Sequence, residues 1–542
     1  MFKKAALSQQ DLEDSELQNE VTKMLNQVGK QDSQWSSWTF QKIVMHLGSH
    51  SLIEYDRQNH TYSIHPLVHH WGGTTIEGNR RDMQKLVLTI IGLSTSHSLT
   101  HEDIKYRRTL LKHTTNSITS FKSENINPLA GSHIARIYWE AGREKDTEAL
   151  MVMVMEKRKR VLGDDHPNTL KSMEHLAHTY WGQSRWSDVE ALYLVVLEKR
   201  KLVLGDDHSD TLTSMASLAA TYRSQGRWKE AKALLVVALE KRKRMLGEDH
   251  PDTLRSMSNL SAMYADLSHW KEAEALDVVV MDKRMQVLGE DHPETLMSMK
   301  NLANTYRNQG RLKDAEELGL VEIEKSKRLQ GEDHPDTLVG MGNLAYTYRE
   351  QGRLKEAEAL EVEVIEKMKR AQGDDHPRTL IATGNLADTY RDQGRLNDAE
   401  ALAMVVMESM KQVFGDEHHR TLKVMSKLAV TYWKQGRWND AEMLQIVTME
   451  KMKRVLGDDH PLTLDTMENL ANTYSDQGRL QDAEALQEAV LEKRRRVLGD
   501  HHPHTLKSMS SLAATYKNLG RLNDIEALEA VVVEIRERRD NS

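Results

Sequence analysis

The chain has 542 residues, with 74 Lys and Arg against 82 Asp and Glu, so its net charge of -8 is spread among dense, interspersed ions and creates no global attraction to nucleic acid or membrane. It has no cysteine, which excludes a disulfide framework, a thiolate zinc site and a thiol nucleophile. Its apolar runs fall far short of the roughly 18 residues that cross a bilayer, and its start, MFKKAALSQQDLEDSELQNE, lacks the apolar core of a signal peptide, so the expected compartment is cytoplasmic.

Residues 1–120 are expected to form a small α+β domain. WSSWTFQKIVMHL (35–47) has helical spacing, SLIEYD (51–56) and TYSIH (61–65) alternate as strands do, and Arg57-Gln58-Asn59-His60 would join them as a hairpin. Pro66 then opens a short helix through Leu67, Val68 and Trp71. This order resembles a winged helix, and SLIEYD with YSIHPLVHHW is similar to the winged helix that follows the nucleotide-binding core of fungal NOD-like receptor (STAND) ATPases. In that family the histidine of the motif matching Ile64-His65-Pro66 faces the nucleotide. No G-x-x-x-x-G-K-[ST] loop occurs in this chain, so the resemblance carries no ATP binding over to His65, and no cofactor is expected. The segment 35–47 holds one lysine and no arginine, which argues against DNA as a partner.

From residue 163 onward glycine recurs every 42 residues, at 163, 205, 247, 289, 331, 373, 415, 457 and 499. Each opens a block close to G-D/E-D-H-P-x-T-L-x-S-M-x-x-L-A-x-T-Y-x-x-Q-G-R-x-x-D/E-A-E-A-L. A fixed period of this size marks a solenoid whose units bury their apolar faces on one another. Within 205–246, Asp207 or His208 is placed to cap a first helix. Leu212, Met215, Leu218, Ala219 and Tyr222 form its apolar stripe, and Gln225-Gly226-Arg227 turns the chain. A second helix from about Trp228 carries Ala231, Leu234, Leu235 and Ala238 inward and ends in Lys241–Arg244, cations suited to a helix C-terminus. Basic runs such as Lys157–Arg160 and Arg494–Arg496 are expected on the surface facing acidic loops. The methionines from Met173 to Met509 sit on the first-helix stripe and are read as packing.

The hairpin with L-A-x-x-Y, Q-G-R and A-E-A-L resembles the tetratricopeptide repeat, in the long form found in kinesin light chains. The likeness covers 163–540 and extends weakly to 121–162 through Ile134-Ala135, Tyr138, Gly142-Arg143 and Glu148-Ala149-Leu150. The expected architecture is therefore an all-α, right-handed α-solenoid of about ten hairpins over 121–540, preceded by a winged-helix-like domain over 1–120. Off the core stripe, asparagine recurs before the Leu-Ala pair (Asn259, Asn301, Asn343, Asn385, Asn469) and three residues later (Asn304, Asn472), and arginine follows the tyrosine (Arg307, Arg349, Arg391). In the family these positions line a concave groove, where an amide that both donates and accepts can hold a peptide backbone irrespective of its sequence. His175, Ser217, Lys427 and Ser511 interrupt the ladder.

The nine Asp/Glu-Asp-His loops are read as caps and not as metal sites, because three consecutive residues rarely converge on one ion. Near-identical copies give no pocket of unlike residues for catalysis. The expectation is a non-catalytic scaffold that binds a protein or peptide, with neither nucleic acid nor membrane as partner. The last hairpin, with Leu528, Val531, Val532 and Ile535, would fray or self-associate. The alternative is the sensor half of a fungal NOD-like receptor whose ATPase core is missing from this chain or lies on a separate polypeptide.

Overall fold

The computed structural model describes residues 53–56, 61–64, 111, 115 and 126–540, and its helices begin where the sequence supplies caps. At each of the nine histidines from His166 to His502, the ring Nδ1 accepts the amide two residues on, at 3.1–3.2 Å. The histidine, and not the preceding aspartate, is thus the capping side chain. Proline follows it in seven of these loops, where a first-turn residue needs no amide hydrogen. In six of the openings the threonine reaches back to the glycine carbonyl, as Thr211 Oγ1 does to Gly205 at 2.8 Å. Second helices stop at a glycine with positive φ, 91° at Gly205 and 84° at Gly247, a conformation that a Cβ makes costly.

The chain divides into two units, one of residues 1–141 with 145–161 and the other of residues 142–144 with 162–542. In the first, strands Ile53–Asp56 and Thr61–Ile64 pair antiparallel, with Ile53 opposite Ile64 and Tyr55 opposite Tyr62. The other segments expected to build a winged helix, 35–47 and the stretch from Pro66, lie outside the described residues. The helices Pro128–Glu140 and Glu144–Leu162 form the first hairpin, joined by Thr147 Oγ1 donating to the Ala135 carbonyl at 3.5 Å.

The second unit is all-helical: nine hairpins run from Pro167–Gly182 with Trp186–Leu204 to Pro503–Leu519 with Leu522–Asp540. With the first hairpin this makes the ten that the spacing implies. The first-helix methionines Met173, Met215, Met257, Met299, Met341, Met425, Met467 and Met509 are buried, with most leucines and alanines of the same stripe. Successive hairpins share core clusters, for example Ala219, Leu235 and Leu239 with Leu254, Met257 and Val280.

The Gln-Gly-Arg turn does more than reverse the chain. Its arginine lies over the tyrosine of its own first helix, at 4.0 Å for Arg227 on Tyr222, and pairs with the Ala-Glu-Ala-Leu glutamate of the preceding hairpin, Arg227–Glu190 at 2.8 Å. Gln225 holds the same glutamate at 2.9 Å. The clamp repeats as Arg311–Glu274, Arg353–Glu316, Arg395–Glu358, Arg437–Glu400 and Arg479–Glu442. Each pair is partly exposed, so solvent screens it and its register matters more than its strength.

The basic runs correct the surface expectation. Lys199, Lys241, Lys283 and Lys325 do reach the acidic loop that opens their own unit. Their neighbours Arg158, Arg200, Arg242, Arg284 and Arg494 are buried. Arg242 is 0% exposed and donates to Ser256 at 2.6 Å and Thr213 at 2.8 Å.

Contacts also reach beyond adjacent hairpins. The array coils so that loops 236 residues apart in sequence meet, as when His418 donates to the Gly182 carbonyl.

Candidate peptide-binding site

Three successive first helices, Pro293–Asn308, Pro335–Glu350 and Pro377–Asp392, bring together five of the expected site residues. Arg307, Asn343 and Asn385 line a cavity of about 370 Å³ with Tyr346 and Ile381. Asn385, Arg391 and Ile381 also line a second cavity of about 260 Å³, completed by Asp388 and by Arg420, Lys423 and Lys427 of the next first helix. Arg349 stands beside both. Its guanidinium and that of Arg307 each lie 4.5 Å from the Tyr346 ring, and it donates to the Asn385 carbonyl at 3.4 Å.

Asp388 anchors this cluster. It is 4% exposed and meets Lys427 at 2.5 Å, Arg391 at 2.8 Å and Arg349 at 3.9 Å. Burial alone would push its carboxyl up, but these cations outweigh burial and hold it below the usual carboxylate range. Arg307 has its pKa lowered, first by burial, and its Nε has no hydrogen-bond partner. Burial also lowers Lys423, and Lys427 adds to the effect. Among the described residues neither Arg307 nor Lys423 has a carboxylate within ion-pair distance. The surplus charge of the cluster is positive, and it is charge withdrawn from water without full compensation.

The remaining ladder members stand elsewhere. Asn301 and Asn304 are half-buried on Pro293–Asn308, Asn259 is exposed on Pro251–Asp266, and Asn469 and Asn472 are half-buried on Pro461–Asp476. None of the five lines either cavity. Sequence reasoning missed Tyr346 and Asp388, although both occupy the register of Asn304 and Asn472. It took Lys427 as a break in the ladder, whereas Lys427 binds Asp388. The available signal was that this register changes residue type from copy to copy while the core stripe does not.

A tetratricopeptide repeat model matches eight consecutive segments from 211–252 to 505–539, more than half of the chain, and a second matches 129–201. The chain belongs to the tetratricopeptide repeat family. Such repeats are typical scaffolds for protein interaction, and the second match includes the hairpin that resembled the consensus only weakly. Among solved structures, a provisionally named kinesin light chain of Podosopora anserina with nearly identical TPR-like repeats is 26% identical over 38% of this chain and 98% of its own, with a TM-score of 0.33. A STAND signal-transduction ATPase with a tetratricopeptide repeat sensor from Pyrococcus horikoshii is 13% identical over 89% and 63%, with a TM-score of 0.39. A Rap protein complexed with Competence and Sporulation Factor is 12% identical over 74% and 99%, with a TM-score of 0.41. Superpositions this loose carry no weight, and membership rests on the repeat match. No curated protein matches the chain.

Proposed function

We propose that this tetratricopeptide array, residues 121–540, is a non-catalytic scaffold that holds an extended, acid-rich peptide segment of a protein partner along its first helices between 293 and 434. The observation that carries this reading is the convergence of Arg307, Asn343, Asn385 and Arg391 on two cavities that share Asn385 and Ile381, with Arg349 over the Tyr346 ring beside them. Asn343 and Asn385 supply paired donors and acceptors for a peptide backbone, and Ile381, shared by both cavities, supplies an apolar floor. The surplus of Arg307, Lys423 and Arg420 favours acidic side chains over basic ones through charge complementarity.

The same reading assigns 1–120 to a winged-helix-like domain, supported by the antiparallel pair 53–56 and 61–64. It places the protein in the cytoplasm, without nucleic acid among its partners. Among the described residues no helix is long and apolar enough to cross a membrane. Self-association through the last hairpin belongs to the proposal. There Leu528, Val531 and Val532 pack only partly against Leu512 and Tyr516, and Leu522 is 68% exposed.

Fluorescence anisotropy with labelled acidic, neutral and basic peptides of equal length tests the reading. Acidic peptides should bind with salt-sensitive affinity, and the double variant Asn343→Ala/Asn385→Ala should lose about 1 kcal/mol or more per hydrogen bond left unpaired. Equal binding of all three classes, or unchanged binding to the variant, overturns it.

A further inference from the structure

Where the coil touches itself, a hairpin turn meets a helix start some 236 residues later, and among the described residues three consecutive junctions of this kind carry a histidine hydrogen bond. His418 Nε2 donates to the Gly182 carbonyl at 2.5 Å, His460 Nε2 to the Ser224 carbonyl at 3.0 Å, and His502 Nε2 to the Asp266 carbonyl at 3.2 Å. In the same three rings Nδ1 accepts the amide that begins the helix. Both nitrogens are therefore committed in the neutral tautomer, one as donor and one as acceptor.

The chain departs from its own consensus where these contacts fall. Ser184 and Ser268 take the turn position held by glycine in most copies, and both adopt positive φ, 63° and 57°. A residue with a Cβ is strained in that conformation. The two hydroxyls reach the other side of the junction, Ser184 to His419 and Ser268 to His502 at 3.1 Å. At the middle junction the turn keeps Gly226, where an added Cβ would sit 3.2 Å from Pro461 Cδ. Trp186 also packs in one cluster with Leu422, Met425 and Met452.

We propose that these histidines form a latch between successive turns of the coil, closed while the rings are neutral and opened by acid without unfolding the hairpins. Protonating Nδ1 sets an N–H against the amide N–H it had accepted, and places a cation in a buried seam. Burial, against the partly compensating carbonyl bond, lowers His418, His460 and His502 to about 4. Burial, with neighbouring cations, lowers His419 to about 2. An exposed imidazole titrates near 6.5. A depressed histidine stabilises the closed form above that value, and its contribution is lost as pH falls from about 6.5 towards 4. Each latch then shifts the closed-to-open ratio by up to tenfold per pH unit.

Other charged groups face the seam. Arg420 and Lys423 beside His419, and Arg494 and His504 beside His502, oppose protonation. Asp465 favours it at His460 and His502. Glu144 sits beside Gly182 and near Arg420, and burial, partly offset by Arg420, raises it to about 7. Acid neutralises it and relieves the closed form, so it works against opening at the first junction alone. His419 and Arg420 line the second cavity, which places the latch beside the proposed peptide site without depending on it.

Small-angle scattering and far-ultraviolet circular dichroism of the full chain between pH 7.5 and 4.5 test the latch. The radius of gyration should grow between pH 6.5 and 4.5 with the helical signal retained. The chain has no cysteine. Ser184→Cys/His419→Cys therefore introduces a single thiol pair at contact distance, which diamide should oxidise to a disulfide at pH 7.5 and thereby hold the chain compact in acid. His418→Asn/His460→Asn/His502→Asn keeps capping side chains without a titratable ring and should lose most of the pH response. No expansion, expansion only with loss of helix, failure to cross-link, or an unchanged response in the asparagine variant each overturns the proposal.

Discussion

Residues 163–288 and residues 289–414 are three copies each of the same hairpin, yet they differ at the turn that joins the two helices. In the first region the second helix starts with Trp186, Trp228 and Trp270, and Ser184 and Ser268 stand in the turn. In the second region the same positions hold Leu312, Leu354 and Leu396, with Gly310, Gly352 and Gly394. The first region lies under the next turn of the coil, whereas a Cβ added at Gly310, Gly352 or Gly394 would meet nothing within 4 Å. The second region instead spends its departures from consensus on the first-helix face, at Tyr346 and Asp388. In a chain of near-copies, a substitution therefore reports what that particular copy touches.

The sharpest way to break this comparison is at tryptophan. Trp186 is 7% exposed beneath the next turn, and Trp438, in the same register, is 40% exposed. Trp186→Ala should cost about 3–5 kcal/mol, and Trp438→Ala about 1 kcal/mol or less, in denaturant melts. Similar costs would mean that the turns do not pack in solution.

The two regions should also respond oppositely to pH. Glu361, 5% exposed in the hairpin 331–372, is pushed up to about 7 by burial, against the Thr389 hydrogen bond. Its raised pKa gives a contribution that is whole below about 4.5 and lost as pH rises through 7. Hydrogen exchange should show this hairpin less protected at pH 8 than at pH 5, by on the order of 1–3 kcal/mol once intrinsic rates are removed, and Glu361→Gln should abolish the difference. The junctions at 182–268 should lose protection in the other direction, towards acid.

A smaller effect separates two glycines. Gly226→Ala combines positive-φ strain with crowding against Pro461 and should cost about 2 kcal/mol, whereas Gly310→Ala meets open space and should cost about 1 kcal/mol. Equal melting shifts would remove the junction from the account. The smallest effect belongs to the groove. Asn343→Ala/Asn385→Ala should leave thermal stability within about 0.5 kcal/mol or raise it, since alanine is the better helix former. An early melt would recast those amides as structural.

The 42-residue period, the ten hairpins and the buried stripe were legible in the sequence because each follows from local rules: caps, 3.6-residue periodicity, and glycine where φ must be positive. The capping role of the Asp-Asp-His loops was legible too, although geometry chose histidine over aspartate, since its Nδ1 reaches the amide two residues on. Asn343, Asn385, Arg307, Arg349 and Arg391 could be named from their register. Their gathering around Asp388 and Tyr346 could not, because one repeat does not reveal which side chain its neighbour presents. The burial of Arg242 and Arg494 was hidden by the lysines beside them, which share the charge but face another side of the helix. The contact between His418 and Gly182 was the least legible. It follows from a small rotation per hairpin summed over 236 residues, a quantity that no single repeat contains and only the assembled coil decides.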